Sequence, residues 1–239
     1  MISFVVLTYN SKKYIKEVLS SISWADEVVV VDSGSNDETL SICSEFKNVK
    51  ITHQKWLGFS AQKQLGVDLS KNEWVFVLDS DEVVTNELKN EITNELKNEI
   101  TNELKNHKFK VYKVARLNYF FGKPIRKMGL YPDYTIRFFN KNYAKFDGRS
   151  VHESVITNSK IGVLKNHFIH HAYESVEQFI NKQNSYSSLN KKSNKIKAVL
   201  NPCWTFFKLY ILKGGFLEGW NGFVIAKLYS EYTFWKYIK

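Results

Sequence analysis

The stretch Trp74-Val-Phe-Val-Leu-Asp-Ser-Asp81 decides how the rest of the chain is read. Five consecutive apolar residues without polar alternation suit a strand covered on both faces, as in a parallel sheet with helices on each side. Asp79 and Asp81 then stand just beyond that strand, and alternate residues of an extended segment face the same side. The same grammar runs upstream. Ser3–Leu7 is an apolar run leading into Thr8-Tyr9-Asn10-Ser11, and Glu27–Val31 leads into Asp32-Ser-Gly-Ser-Asn-Asp37. Lys13–Ile22, Glu38–Phe46 and Ser60–Leu69 carry helical patterns between the runs, and Val49–Thr52 reads as a short strand. Strands alternating with helices at this spacing predict βαβ units and a mainly parallel sheet, an α/β fold. In such sheets ligands bind beyond the carboxyl ends of the strands, where these polar residues fall.

Composition bounds the remaining possibilities. A chain of 239 residues with 44% hydrophobic and 15% aromatic content has ample core material, which excludes wholesale disorder and suits one α/β domain with an appendage. The formal net charge of +10 points to an anionic partner: nucleic acid, a phosphorylated glycolipid or an acidic membrane face. Cys43 and Cys203 are too few for a disulfide framework or a cysteine-based zinc site. The start Met1-Ile-Ser-Phe-Val-Val-Leu7 has no basic leader or cleavage site and reads as a strand. No charge-free apolar run reaches the roughly 18 residues a spanning helix needs. A cytoplasmic location, peripheral to the inner membrane, is the expectation.

Beyond Asp81 the pattern changes twice. Asn86-Glu-Leu-Lys-Asn-Glu-Ile-Thr93 recurs identically at Asn94–Thr101, with a partial third copy at Asn102–Asn106. Its apolar residues recur every four positions, so the stripe drifts roughly 40° per step around a helix, and one neighbour can bury only part of it. The segment 86–106 is therefore read as a surface helix lengthened by duplication. Phe109–Arg116, Thr135–Phe139 and His152–Ile156 look like strands, completing a domain over residues 1–172. Residues 173–239 form a helical region: from 176 onward ten lysines face three glutamates, interleaved with aromatics such as Trp204, Phe207, Trp220 and Trp235. Basic and aromatic residues mixed on helices suit the headgroup layer of an anionic membrane.

Asp79-Ser80-Asp81 is the sharpest chemical feature, because hard oxygen donors of this kind suit Mg2+ or Mn2+ bridging a diphosphate. Asp32 can accept from a base N–H or a ribose hydroxyl, Gly34 permits close backbone approach, Tyr9 can stack on a base, and Thr8 and Asn10 can hydrogen-bond it. His167, His170 and His171 form a second group, from which an imidazole can complete a cation's ligand set or meet phosphate. Arg137 suits bidentate phosphate binding on an acceptor, beside Arg116 and Arg126 in the same half of the chain.

Phe4-Val-Val-Leu-Thr-Tyr-Asn10, Val30-Val-Asp-Ser-Gly-Ser-Asn-Asp37 and Val77-Leu-Asp-Ser-Asp-Glu82 together resemble a family-2 glycosyltransferase of the GT-A fold. The resemblance is nearer still to bacterial lipopolysaccharide-core β-1,4-glucosyltransferases. It extends over Trp56-Leu-Gly-Phe-Ser-Ala-Gln-Lys63, Asn118–Lys123, Tyr131-Pro-Asp133 with Arg137, Val151-His-Glu153 and Gly215–Phe223. It implies a UDP-sugar donor, a divalent cation, inversion at the anomeric carbon and a glycolipid acceptor such as a heptose of the lipopolysaccharide core. By the same resemblance Thr8, Tyr9 and Asp32 hold uridine, Asp79 with Ser80 faces the ribose, Asp81 binds metal, and Lys63 meets the diphosphate. Glu153 takes the place of the catalytic base, with His152 beside it at the acceptor or metal. Single-step inversion does need a carboxylate to take the acceptor proton. A nucleotidyltransferase would open with a Gly-rich basic loop instead of Thr8-Tyr9-Asn10. A nucleic-acid groove would gain nothing from paired carboxylates, so no nucleic-acid partner is expected.

Overall fold

The structure, a computed structural model, describes residues 1–101, 109–149, 154–189 and 193–239. Its centre is strand β1 (Ile2–Thr8), all seven residues of which are buried. Phe4 and Val6 join one hydrophobic cluster and Val5 and Leu7 another, as alternation along a strand with two covered faces requires. Parallel to β1 lie β2 (Glu27–Asp32) on one side and β4 (Trp74–Asp79) on the other, with β3 (Val49–His53) beyond β2. The connections are α1 (Ile15–Ser21) and α2 (Thr39–Cys43), both shorter than their expected spans, and α3 (Phe59–Leu69), which begins one residue earlier than expected. Helix α3 lies against β1 and β2 at Gly66, where a Cβ would come within 2.2 Å of Val5.

The remaining strands are β5 (Glu82–Val84), β6 (Val111–Phe120), β7 (Lys123–Pro124), β8 (Asp133–Asn140), β9 (Lys145–Phe146), β10 (Val155–Ile156) and β11 (Ile161–Tyr173). Among the described residues a nine-stranded sheet runs in the order β3-β2-β1-β4-β8-β6-β11-β5, with β7 on β6. Strand β8 pairs antiparallel with β4, so the parallel half ends there.

Two findings depart from the sequence expectation. Helix α4 (Asn86–Thr101) is no mere surface helix: Leu88, Ile92 and Leu96 belong to the main core beside Phe76 and Phe168. Leu88 and Ile92 are fully buried and Leu96 slightly less so, the progressive exposure that a drifting stripe dictates. Strand β11 was also not expected, because its lysines, asparagine and histidines break the apolar alternation after Leu164.

The chain forms two compact units. One holds Met1–Arg116 and Tyr134–Ile169, and the other holds Leu117–Asp133 and His170–Lys239. The second therefore includes a segment that the sequence pattern had grouped with residues 1–172. It contains α5 (Val176–Leu189), α6 (Lys195–Phe207), a π-helical turn over Lys208–Leu212, a 3-10 turn over Gly215–Glu218 and α7 (Gly219–Ile238). Its core gathers Phe120, Met128, Tyr173, Phe179, Ile225 and Leu228.

Candidate active site

Register brings the chemistry to one rim of the first unit. Leu7 of β1 lies opposite Asp79 of β4, and Thr8 lies opposite Asp32 of β2, so three strand ends reach the same edge of the sheet. The loops that follow are tied together. Asn10, in the left-handed region at φ 49°, donates its N–H to the Ser35 hydroxyl (2.9 Å) and accepts from the Asn36 N–H (2.9 Å). The Ser11 and Ser80 hydroxyls are 2.7 Å apart, joining the first loop to the acidic triplet. Tyr9 projects from this loop and is 64% exposed.

Asp32 is fully buried, and its oxygens accept from the Thr8 hydroxyl (2.9 Å), the Ser35 hydroxyl and the backbone N–H groups of Gly34 and Ser35 (2.9 Å each). Burial alone would push its carboxyl up; the hydrogen bonds from Ser35, Gly34 and Thr8 outweigh it and hold Asp32 below the ordinary carboxylate range. Its immediate work is thus to shape the turn at Gly34, where φ is +99° and nothing stands within 4 Å of a Cβ position. That turn leaves backbone and open space at the rim.

The acidic triplet is embedded in a charge network. Asp79 meets the buried Lys63 ammonium at 3.1 Å and the Arg137 guanidinium at 2.9 Å. Burial would raise the Asp79 carboxyl, but Lys63 and then Arg137 hold it far below the usual range, so it stays ionised. Glu82, wholly buried on β5, accepts from the Asp79 N–H (2.8 Å) and from Arg137 (2.7 Å), with Arg116 at 3.8 Å. Its burial, with the nearby Asp79 charge adding to it, pushes the Glu82 carboxyl above its ordinary value against the pull of Arg137. Asp81 sits half-buried beyond them at the rim.

Beside this network lies a cavity of about 340 Å³, lined in part by Lys63, Asp79, Lys113, Arg116, Tyr134 and Arg137. Four cationic side chains around one carboxylate favour an anionic occupant such as a phosphate group. Arg137 is found at this cavity, but its guanidinium already bridges Asp79 and Glu82 and lies over the Phe168 ring (5.8 Å). Sequence reasoning missed Glu82 and Lys113 as parts of the site. For Glu82 the available signal was a third carboxylate directly following the Asp79-Ser80-Asp81 triplet.

Other expected residues fall differently. Glu153 and His152 lie outside the described residues. On β11 the side chains of His167 and His171 alternate with that of His170, so the three do not converge. The His167 carbonyl accepts from the Thr85 hydroxyl (2.9 Å), and His170 Nδ1 lies 2.7 Å from Asn118 Oδ1. Among the described residues no group of three His, Cys, Asp or Glu side chains is arranged to hold a metal ion.

This α/β sheet, whose parallel strands end in an acidic, hydrogen-bonded rim, has the GT-A fold. The chain belongs to glycosyl transferase family 2, whose model matches residues 3–147. Over its whole length it is 28% identical to an uncharacterized glycosyltransferase of Rickettsia typhi, covering 86% of that protein. It is also 24% identical over 98% of its length to the lipopolysaccharide core biosynthesis glycosyltransferase LpsC of Rhizobium meliloti, covering 89% of it. The same fold is found in a Pyrobaculum calidifontis mannosyltransferase solved with GDP-mannose and Mn2+ (TM-score 0.57, 12% identity, 98% of this chain and 85% of that one). It recurs in the Staphylococcus aureus enzyme TarS, residues 1–349, solved with UDP (TM-score 0.51, 20% identity, 91% of this chain and 75% of that one). The protein is thus a glycosyltransferase.

Proposed function

We propose that this glycosyltransferase moves glucose from UDP-glucose, with inversion, onto a heptose of a lipopolysaccharide inner core, in a reaction that depends on a divalent cation. The observation that carries the proposal is the strand register, which gathers Thr8, Asp32 and Asp79 at one sheet edge with Asp81 just beyond. The similarity to LpsC supports a core-glycan acceptor. The solved relatives with UDP, or with GDP-mannose and Mn2+, support a nucleotide-sugar donor and a dication.

In this reading Tyr9 stacks on uracil, Thr8 and Asn10 hydrogen-bond the nucleoside, and the Gly34 turn lets the backbone approach it. Asp79 and Ser80 face the ribose. The donor set fits a hard cation: Asp79 is held ionised by Lys63 and Arg137, and Asp81 adds carboxylate oxygens beside it. When bound, the ion would offset charge on the departing diphosphate. Lys63, fixed within 3.1 Å of Asp79, brings a positive charge to the same place. Glu153 takes the proton from the acceptor hydroxyl as its oxygen attacks C1. Lys113 and Arg116, at the cavity, hold phosphate carried by the acceptor. The proposed setting is the cytoplasmic face of the inner membrane.

To test this, the purified protein is given UDP-glucose, Mn2+ and a heptose-bearing core acceptor, and UDP release is followed. Turnover that falls at least about a hundredfold in Asp81→Ala and in Glu153→Gln is expected. Absence of UDP release with any sugar nucleotide, or full turnover in both variants, would discard the proposal.

A further inference from the structure

Helix α6 in the second unit is built inside out. Its inward side is clamped to α7: the Ser230 hydroxyl donates to the Pro202 carbonyl (2.9 Å), the Thr205 and Thr233 hydroxyls are 3.2 Å apart, and Ala198 is buried. Its outward side, which a water-soluble helix fills with polar residues, carries Ile196, Val199, Leu200, Trp204, Phe207 and Ile211. These recur at three- and four-residue steps, one continuous helical stripe through the π-helical turn. Ile196 is 72% exposed and Trp204 55%, values foreign to a packed core. At the end of the stripe the 3-10 turn adds Leu217, and the first turn of α7 adds Trp220, which is 74% exposed. Phe223 stacks on Trp220 (5.4 Å) and meets Phe206 of α6 edge-on (5.6 Å), so the two patches are joined.

The rim of this face is basic. Lys195, Lys197, Lys208 and Lys213 are exposed along the same helix and turn. Arg126 and Lys127 are exposed too, and their N–H groups are tied to the Glu218 carboxylate at 2.8 and 2.7 Å. Thirteen lysines and arginines face five acids in this unit, so it carries +8 of the chain's +10 charge. Among the described residues no helix is long and apolar enough to cross a membrane.

We propose that the exposed face of α6, with the Leu217–Trp220 turn, is a docking surface for an anionic lipid bilayer. The helix lies in the headgroup plane with its apolar stripe dipped into the acyl boundary and its lysines among lipid phosphates. Charge decides between occupants. A second copy would bring +8 against +8 and pay for the repulsion, whereas an acidic membrane attracts the rim and solvates the stripe. The surface concerns where the enzyme works, not which sugar it moves, so it goes beyond the proposed reaction.

Flotation of the full-length protein with phosphatidylcholine vesicles, with and without phosphatidylglycerol, tests it; no glycolipid is present. The wild type floats with the anionic vesicles and loses affinity as salt rises. Tryptophan fluorescence shifts to the blue on binding. Trp204→Glu with Trp220→Glu weakens binding by about tenfold or more, and Lys195→Glu with Lys197→Glu weakens it too, while circular dichroism and UDP binding stay unchanged. Wild type that ignores anionic vesicles, variants that bind as well as wild type, or a soluble dimer dissolved by the tryptophan changes would each overturn the proposal. Because UDP binding is read separately, failure here leaves the donor assignment standing.

Discussion

Asp79 owes its charge to two partners from distant parts of the chain, Lys63 on α3 and Arg137 on β8. A depressed carboxyl contributes stability above the ordinary carboxylate pKa of about 3.9, and that contribution drains away as pH falls below it. Urea unfolding of wild type between pH 2 and 7 should therefore lose stability steeply below about pH 4, and Asp79→Asn should flatten that limb. An identical acid limb in the two proteins would contradict the network. Removing Arg137 is a different matter, because it leaves the buried Glu82 without its nearest cation, with only Arg116 at 3.8 Å and the Asp79 N–H beside it. Arg137→Met should cost about 3–5 kcal/mol in urea unfolding, and adding Glu82→Gln should recover a large part. The positions of Asp79 and Asp81 were legible because Asp79 ends an uninterrupted apolar run and Asp81 stands two residues further on. The inward role of Glu82 was not, since it depends on Arg137, 55 positions further on, arriving beside it. The place of Asp32 at a strand end was legible too, but its four donors all come from nearby loop or strand-end groups, a detail no spacing reveals.

The parallel elements could be read from pattern alone, because a strand buried on both faces must be apolar throughout. Helix α4 was legible as a helix but not as part of the core. Its two full copies are identical, and both put residues into the core: Leu88 and Ile92 from the first and Leu96 from the second. Glu91 of the first copy accepts from the Lys165 and Asn166 N–H groups (2.7 and 2.9 Å), and Glu95 of the second copy, at a different position of the repeat, accepts from the Tyr112 hydroxyl (2.8 Å). Ile92→Ala should destabilise by about 2–5 kcal/mol, measured by urea unfolding, as expected of a fully buried side chain. Gly66→Val should cost about 1–3 kcal/mol or more, since even a Cβ would press on Val5 and separate α3 from the sheet. Loss of less than about 0.5 kcal/mol in either variant would mean that the helix packs differently. Strand β11 escaped pattern reading because Lys165, Asn166, His167, His170 and His171 interrupt it. Its pairing in the sheet overrides their weak strand preference.

At the scale of the whole molecule, the charge and the chemistry are divided. The acidic rim lies in the first unit, and most of the net positive charge lies in the second. The sequence already set ten lysines against three glutamates from residue 176 onward, and what it did not disclose is that residues 117–133 join those helices through folding. A dication-dependent nucleotide site also predicts a linked gain in stability. UDP with Mn2+ at about 100 times the dissociation constant should add about 2.7 kcal/mol, visible as a raised melting temperature that chelation abolishes. Titration calorimetry of UDP into the wild type and Asp81→Asn, each with Mn2+ and with chelator, puts the central claim to its most direct test. The account predicts tight binding only for wild type with Mn2+, and a loss of about a hundredfold, roughly 2.7 kcal/mol, in Asp81→Asn. Equal affinity in chelator, or in the variant, would contradict it.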